Sequence, residues 1–298
     1  MSTSKKSVFT KGWMRVLFFL VVFAGVYISG SWLYSETGFN KTINPVYAGA
    51  AIFGLAALLT VPAFIIFADN KPLSSLGFKW MPVDSPGYEP MPRFIAPLMA
   101  VAILGVGWTF LYLSNYLEYL GAILSTRNIL TGFLLMCVIA VAEESVFRGY
   151  VLNNLLSSFN PWLSLVISAM LFAFLHSGNP EAGIVAIINV FLAGLLLGIN
   201  YIYTRNLWFA TLFHLSWNFL QGPVLGFPVS GLDLPAFLQI SISGNELITG
   251  GKFGFEGSII QTILFIPAII ILYLSLHPGF SPSTSTGNGI HRTNQHPS

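Results

Sequence analysis

Long apolar runs separated by short polar breaks occupy most of the chain. Each run has roughly 20 residues, the length an α-helix needs to cross the ~30 Å hydrocarbon core of a bilayer. The pattern predicts helical spans near 13–34, 45–68, 94–115, 128–155, 161–178, 183–204, 206–222 and 258–276. The fold class that follows is an all-α polytopic membrane protein with about eight transmembrane helices.

Composition supports this interpretation and narrows the partners. Hydrophobic residues make up 54% of the 298 positions and charged residues 8%, whereas soluble domains carry about a quarter charged residues. The net charge is +2, without a basic stripe interleaved with aromatic residues, so nucleic acid is not an expected partner. The single cysteine, Cys137, leaves no intramolecular disulfide and no CxxC motif. Membrane lipid is the expected surrounding.

Breaks rich in proline, glycine and polar residues divide the chain. We expect an N-terminal two-helix region with a cytoplasmic loop over 1–93, a membrane core over 94–276 and a disordered polar tail over 277–298. The segment 223–257 is predicted to be an extracytoplasmic loop with a glycine-rich turn that covers the helix bundle. Lysine and arginine concentrate on the side that holds the N-terminus, which predicts that both termini are cytoplasmic.

The stretch "AVAEESVFRGY" places three charges at the end of an apolar run. A charge near the middle of the bilayer costs at least ~2.5–3.5 kcal/mol, so such residues are candidates for function. Glu144 and Arg148 are four residues apart with the acid first, the favoured order for an ion pair on a helix. Glu143 faces another direction, at ~100° per residue, and is left unpaired. An unpaired buried carboxylate is driven towards neutrality, which suits a general base.

Two later helices carry polar residues that could meet this acid. His176 ends "LFAFLH", with Phe172 on the same face, and His214 and Asn218 project from one face of "LFHLSWNFLQG". Each is open to a structural reading, since such residues often only join helices. Together with Glu143 they would suffice for water activation and for stabilisation of an oxyanion.

The same side chains permit a metal site. Two histidines and a carboxylate with an open position for water can bind zinc, and the ligands would be Glu143, His176 and His214. There is no HExxH helix to support this by spacing. The sequence therefore requires no cofactor and permits zinc.

Three motifs carry a resemblance to a known family. Glu-Glu-x3-Arg at 143–148, Phe-x3-His at 172–176 and His-x3-Asn at 214–218 occur in this order on consecutive core helices. They resemble the CPBP family of intramembrane proteases, which includes CaaX prenyl protease 2, Abi proteins and proteins like lysostaphin-resistance protein A. The resemblance covers about 128–222, and "TGGKFGFEGS" at 249–258 looks like a feature of bacterial members.

The resemblance implies a catalytic core of four helices and a role for each motif residue. Glu143 and His176 would activate the attacking water, while His214 and Asn218 would stabilise the tetrahedral intermediate. The supporting residues would be Glu144, Arg148 and Phe172. The family is often described as metalloproteases, and a metal-free glutamate mechanism fits the same residues.

The expected function is hydrolysis of a peptide bond in a membrane-associated protein or peptide. The expected location is a bacterial plasma membrane, where prenylated CaaX substrates are not expected. One alternative is a non-catalytic scaffold or bacteriocin-immunity protein with the same fold. Another is a proton-coupled transporter that uses the glutamates and histidines as a relay, although the chain shows no internal repeat.

Overall fold

The computed structural model of the chain describes residues 11–39, 42–79 and 92–276 and is mainly helical. Each of the eight predicted segments is a helix. They are α1 (Gly12–Glu36), α2 (Pro45–Ala63), α3 (Pro92–Leu113), α4 (Thr126–Glu144), α5 (Pro161–His176), α6 (Ile184–Thr204), α7 (Trp208–Phe219) and α8 (Ile259–Leu276). The disordered tail predicted over 277–298 lies outside the described residues.

Three of these helices continue as wider π-helical turns, which the sequence analysis did not predict. Phe64–Ala68 extends α2, Ser145–Leu152 extends α4, and Leu220–Val224 extends α7. A final helical turn, Asn153–Leu155, completes the α4 run. The turn that follows α4 matters most, because it begins directly after the two adjacent glutamates.

Six helices within the described residues are long and apolar enough to cross a membrane. The other two are α5, a shorter apolar helix of 16 residues, and α7, with 12 residues before its π-helical turn. Since ~20 residues are needed to span ~30 Å, these two helices are too short by this measure. The chain is therefore an integral membrane protein with a mainly helical, polytopic fold.

The segments outside the helices contain a small sheet that the all-α prediction missed. Strand β1 (Leu117–Ala122) pairs antiparallel with β2 (Leu238–Ile242). Period-2 patterning over five or six residues is a weak signal, so the sequence did not predict these two strands. The antiparallel pair connects the loop before α4 to the loop before α8.

The glycine-rich turn predicted near 250 is present. A helical turn, Glu246–Thr249, is followed by two 3₁₀ turns, Gly251–Phe253 and Phe255–Gly257. Gly254 has a φ of 100°, and a side chain there would collide with the carbonyl of Pro228. Only glycine fits such a position without strain, so this turn can pack closely onto the loop at 228.

Aromatic packing fixes the N-terminal pair of helices against α4. The Phe19 ring of α1 lies 4.2 Å from the Tyr150 ring and 5.3 Å from the Phe64 ring, measured between centroids. All three side chains are buried. Aromatic pairs at these distances add to the stability gained by burial, so the first two helices hold the α4 run in place from one side.

A buried polar cluster joins the same elements at one end. Asp69 accepts hydrogen bonds from Tyr150 (3.3 Å) and Asn154 (3.0 Å), and Arg15 donates to Asn154 (3.0 Å). Arg15 also lies 3.7 Å from Asp69. Because the charges and amides satisfy one another, the cluster can be buried. The predicted loop that begins at Asp69 is thus anchored to α1 and α4, and its residues 80–91 lie outside the described part.

Small residues bring α5 and α6 close together. A Cβ at Gly194 would lie 2.8 Å from the Ala169 Cβ, and one at Gly198 would collide with the Leu165 side chain. Close approach through small residues is the common packing mode of membrane helices. It places the α5 face that carries Phe172 and His176 beside the α4 run.

Candidate active site

The four residues predicted to act together line one cavity. Glu143 lies at the end of α4, His176 is the last residue of α5, and His214 and Asn218 lie on α7. All four face a cavity of about 700 Å³. His214 and Asn218 are buried, with 8% and 6% of their surface exposed. Tertiary packing therefore brings three separate motifs to one place.

Glu144 is the centre of a buried hydrogen-bonded group. Its Oε1 accepts hydrogen bonds from Arg148 Nη1 and from His214 Nδ1, each at 2.8 Å. The pair with Arg148 agrees with the four-residue spacing. The bond to His214 was not predicted, because it joins residues 70 positions apart. Glu144 thus orients the His214 ring as well as neutralising Arg148.

Glu143 faces the two histidines without reaching hydrogen-bond distance. Its Oε2 lies 3.9 Å from His176 Nε2 and 3.9 Å from His214 Nε2. This oxygen is buried and accepts no hydrogen bond among the described residues. The two adjacent glutamates therefore approach opposite nitrogens of the His214 ring, and Glu143 is the acid that stays available.

The hydrogen bonds of the two rings fix which nitrogen carries a proton. His176 Nδ1 lies 2.8 Å from the carbonyl oxygen of Phe172, which can only accept, so Nδ1 donates. His214 Nδ1 donates in the same way to Glu144, whose Oε1 is an acceptor for Arg148 as well. In the neutral ring each Nε2 is then unprotonated, and both Nε2 atoms face Glu143.

Arg148 is held on all sides inside the bundle. Only 1% of its surface is exposed, and its second amine lies 3.4 Å from the carbonyl oxygen of Gly194. Its guanidinium carbon is 4.4 Å from the centre of the Phe172 ring, a cation–π contact. The Phe172 ring also packs at 4.5 Å against His176, so Phe172 connects the arginine of one motif to the histidine of the next.

Asn218 has a free amide at the cavity wall. It is buried and lies four residues after His214 on the same helix. The hydrogen bonds within the described residues include none from its side chain, whereas buried amides are normally bonded. An unpartnered amide facing a cavity is available to bind a group that enters it.

A third carboxylate, Glu256, lines the same cavity and was missed by the sequence analysis. Its Oε1 accepts from Trp217 Nε1 at 3.0 Å, and its Oε2 accepts from the backbone N–H and the hydroxyl of Ser230 at 2.8 and 2.7 Å. The available signal was an acid within the apolar, glycine-rich stretch "GKFGFEGS". Its three partners come from α7 and the loop at 230, so only the folded chain could reveal the contact.

The spacing of the three candidate zinc ligands differs from that of a tetrahedral zinc site. Tetrahedral ligands at ~2.0–2.2 Å from zinc lie about 3.3–3.5 Å from one another, and Glu143 Oε2 lies 3.9 Å from each Nε2. Within the described part of the chain, no group of three or more His, Cys, Asp or Glu side chains is close enough to hold a metal ion. The side chains as placed do not fit a zinc site.

The fold and the site define a class of protein. It is an integral membrane protein in which glutamate and histidine side chains from separate helices face one buried cavity. Residues 125–220 match the family model of the Rce1-like type II CAAX prenyl endopeptidases. This segment carries the three motifs, and its match supports the CPBP/CAAX protease family that they predicted. A search of curated proteins found no match to the chain.

Proposed function

We propose that the protein is an intramembrane endopeptidase that hydrolyses a peptide bond of a membrane-associated protein or peptide. The observation that carries the proposal is the position of Glu143 Oε2, equally far from His176 Nε2 and His214 Nε2 at 3.9 Å. One water oxygen placed among these atoms lies within hydrogen-bond reach of Glu143 Oε2 and His176 Nε2, beside His214 Nε2. The match of residues 125–220 to the Rce1-like type II CAAX prenyl endopeptidases supports the same reaction.

Glu143 and His176 activate the water in this mechanism. A water between Glu143 Oε2 and His176 Nε2 donates one hydrogen bond to each and keeps a lone pair for the scissile carbonyl carbon. Glu143 takes one proton as the C–O bond forms. His176 is oriented for this task because its Nδ1 is bonded to the Phe172 carbonyl oxygen at 2.8 Å.

His214 and Asn218 stabilise the oxyanion that develops on the carbonyl oxygen. The Asn218 amide donates from the cavity wall, and His214 donates from Nε2 when the ring carries both protons. The positive charge of that ring is balanced by Glu144, which accepts the Nδ1 proton at 2.8 Å. Donors fixed in advance in a buried site are effective because they need no reorganisation during the reaction.

Glu143 then returns its proton to the leaving amine. The C–N bond breaks, the carbonyl re-forms, and the products are a carboxylic acid and an amine. Glu144, Arg148 and Phe172 act as positioning residues. Glu144 contacts His214, Phe172 contacts His176, and Arg148 contacts both Glu144 and Phe172. This assignment agrees with the burial of Glu144 and Arg148, at 0% and 1% exposure.

The cavity supports a substrate that arrives from the membrane. Its walls include apolar side chains of the first two helices, namely Leu20, Phe23, Tyr27 and Phe53. An apolar segment of a substrate would replace lipid at these walls without exposing its side chains to water. From the distribution of lysine and arginine we propose that both termini are cytoplasmic. We propose a bacterial plasma membrane because the stretch at 249–258 resembles bacterial members of the family.

The test is cleavage of fluorogenic peptides by the purified protein in proteoliposomes. Wild type should cleave, and Glu143→Gln and His176→Ala should not, while Glu181→Gln serves as the matched surface control because Glu181 is 57% exposed at its side chain. Cleavage that persists in Glu143→Gln would overturn the assigned base. If the Glu143→Gln variant cleaves nothing and still supports the protein's biological function, the protein is a scaffold or immunity protein. Solute flux driven by a pH gradient would instead indicate a transporter.

A further inference from the structure

The charged residues that line the cavity are acidic. They are Glu143 and Glu256, together with the titratable rings of His176 and His214, and the described lining includes no lysine or arginine. Arg148 is nearby but is already bound to Glu144 and stacked on Phe172. The cavity therefore offers acidic groups to anything that enters, set in otherwise apolar walls.

Glu256 is built into the wall as a carboxylate acceptor. Its three partners, Trp217 Nε1, Ser230 N and Ser230 Oγ, are all used as donors. An ionised carboxylate accepts hydrogen bonds and donates none, and all three groups donate to Glu256. All three are neutral, and no cation of the described residues pairs with Glu256. Its negative charge is thus held in place and left without a counter-charge.

An acceptor without a donor lies in the same wall. Gln261 has 1% of its surface exposed and lines the cavity, and its Oε1 has no hydrogen-bond partner among the described residues. Buried amide oxygens are normally bonded. The wall of the cavity thus contains the Glu256 carboxylate and the Gln261 amide oxygen, which has no donor among the described residues.

We infer that Glu256, with Gln261, forms a subsite for a cationic group of the substrate: the side chain of a lysine or arginine, or a free amino terminus. Ammonium and guanidinium groups carry several donors and no acceptor, which suits a carboxylate without a counter-charge and an amide oxygen without a donor. A charge-assisted hydrogen bond in a buried site is among the stronger single contacts. A substrate carboxylate placed there would meet like charge.

This inference rests on the proposed peptidase function and specifies its substrate class. The reacting groups and the Glu256 subsite lie in the same cavity, and Trp217, which donates to Glu256, is the residue directly before Asn218. A peptide bound at both places would have its basic residue or amino terminus at a fixed separation from the scissile bond. Glu256 is therefore a specificity-determining residue and not a member of the water-activating group.

The experiment compares matched peptides in proteoliposomes. In the first set a single lysine is placed at successive positions of an apolar peptide. In the second and third sets norleucine or glutamate replaces that lysine. Each peptide is made with a free and with an acetylated amino terminus. Wild type should prefer one lysine position, or the free terminus, by about tenfold or more in kcat/KM over the neutral peptide. Glu256→Gln should lose that preference and still cleave the norleucine peptide, and Glu181→Gln should retain it.

A binding arm separates failure of the inference from failure of the proposed function. The Kd of the lysine and norleucine peptides is measured for Glu143→Gln and for the double variant Glu143→Gln/Glu256→Gln. Tighter binding of the cationic peptide that disappears in the double variant supports the subsite even where wild type cleaves nothing. Equal affinity for both peptides in Glu143→Gln, or a lysine preference that survives the loss of Glu256, overturns it.

Folding of the Glu256 variant is checked by thermal unfolding. If Glu256→Gln does not fold, cleavage of the three peptide sets by the wild-type protein tests the subsite. A ranking of lysine above norleucine above glutamate at one position supports the subsite. Equal cleavage of the three, or a preference for glutamate, contradicts it.

Discussion

His214 Nδ1 lies 2.8 Å from Glu144 Oε1, although 70 positions separate the two residues. The bond connects the second glutamate of one motif to the first residue of another. It leaves His214 Nε2 directed at Glu143, 3.9 Å away. Glu144 therefore neutralises Arg148 and also sets the orientation of His214, a proposed oxyanion donor.

Replacing Glu143 by glutamine should abolish cleavage and leave the fold intact. The Glu143 side chain is 16% exposed and its Oε2 accepts no hydrogen bond in the described structure, so little stability depends on it. We expect a fall in kcat of about 10²–10⁴-fold, the usual contribution of a general base. Turnover assays beside thermal unfolding test this, and a loss of both activity and fold would contradict the assigned role.

Replacing Glu144 by glutamine should destabilise the protein. Arg148 would remain buried without its counter-charge, and breaking a buried ion pair typically costs about 3–5 kcal/mol. The double variant Glu144→Gln/Arg148→Met should recover part of that stability, because it removes the uncompensated charge. Unfolding midpoints of the wild type, the two single variants and the double variant measure the coupling. Strictly additive effects would show that the pair contributes no mutual stabilisation.

Replacing Asn218 by alanine should slow turnover with little change in KM. Its amide is free in the described structure and would contact only the developing oxyanion. Removing one such donor costs about 10²–10³-fold in kcat. The neighbouring Ser216→Ala change, which the mechanism does not use, is the control on the same helix. An Asn218 effect confined to KM would instead indicate a contact with the bound substrate.

Replacing Gly194 by alanine should loosen the contact between α5 and α6. The added Cβ would lie 2.8 Å from the Cβ and 2.9 Å from the Cα of Ala169, so backbone must move. Overpacking of this kind costs about 1–3 kcal/mol. Gly105→Ala is the matched control, since a Cβ there meets nothing within 4 Å. The midpoint temperature of thermal unfolding should fall for Gly194→Ala and stay unchanged for Gly105→Ala.

Treatment with a chelator should leave peptide cleavage unchanged. The proposed steps use Glu143 as base, and its distance of 3.9 Å to each histidine exceeds the spacing of zinc ligands. Metal analysis of the purified protein is measured in parallel with activity. Stoichiometric zinc that is lost together with activity, and restores activity when added back, would make Glu143, His176 and His214 ligands.

Local patterns predicted much of this molecule. The eight helices follow from apolar runs between polar breaks, and six of them within the described residues have membrane length. The Glu144–Arg148 pair follows from a spacing of four on one helix. The three short motifs pointed to the four cavity residues because their order matched a family. Each of these inferences depends on neighbours along the chain, where helix geometry alone fixes the relation between residues.

Other features needed the folded chain. The π-helical turn Ser145–Leu152 has no reliable local signal. The β1–β2 pair joins residues more than a hundred positions apart, such as Leu117 and Ile242. Glu256 lies in a loop that sequence reasoning treated only as a glycine-rich cover, and it became notable when α7 and the loop at 230 were seen to surround it.

The sequence by itself determined that the chain is a helical membrane protein, which polar residues are costly enough to require a reason, and which acid has a partner four residues away. The tertiary structure decided that Glu143, His176, His214 and Asn218 share a cavity, that Glu144 binds His214, and that Glu256 lies in the same wall. The physical reason is the separation along the chain over which each effect acts. Helix periodicity and the cost of burying charge act on local sequence, whereas the direction of a side chain between helices depends on how distant segments pack.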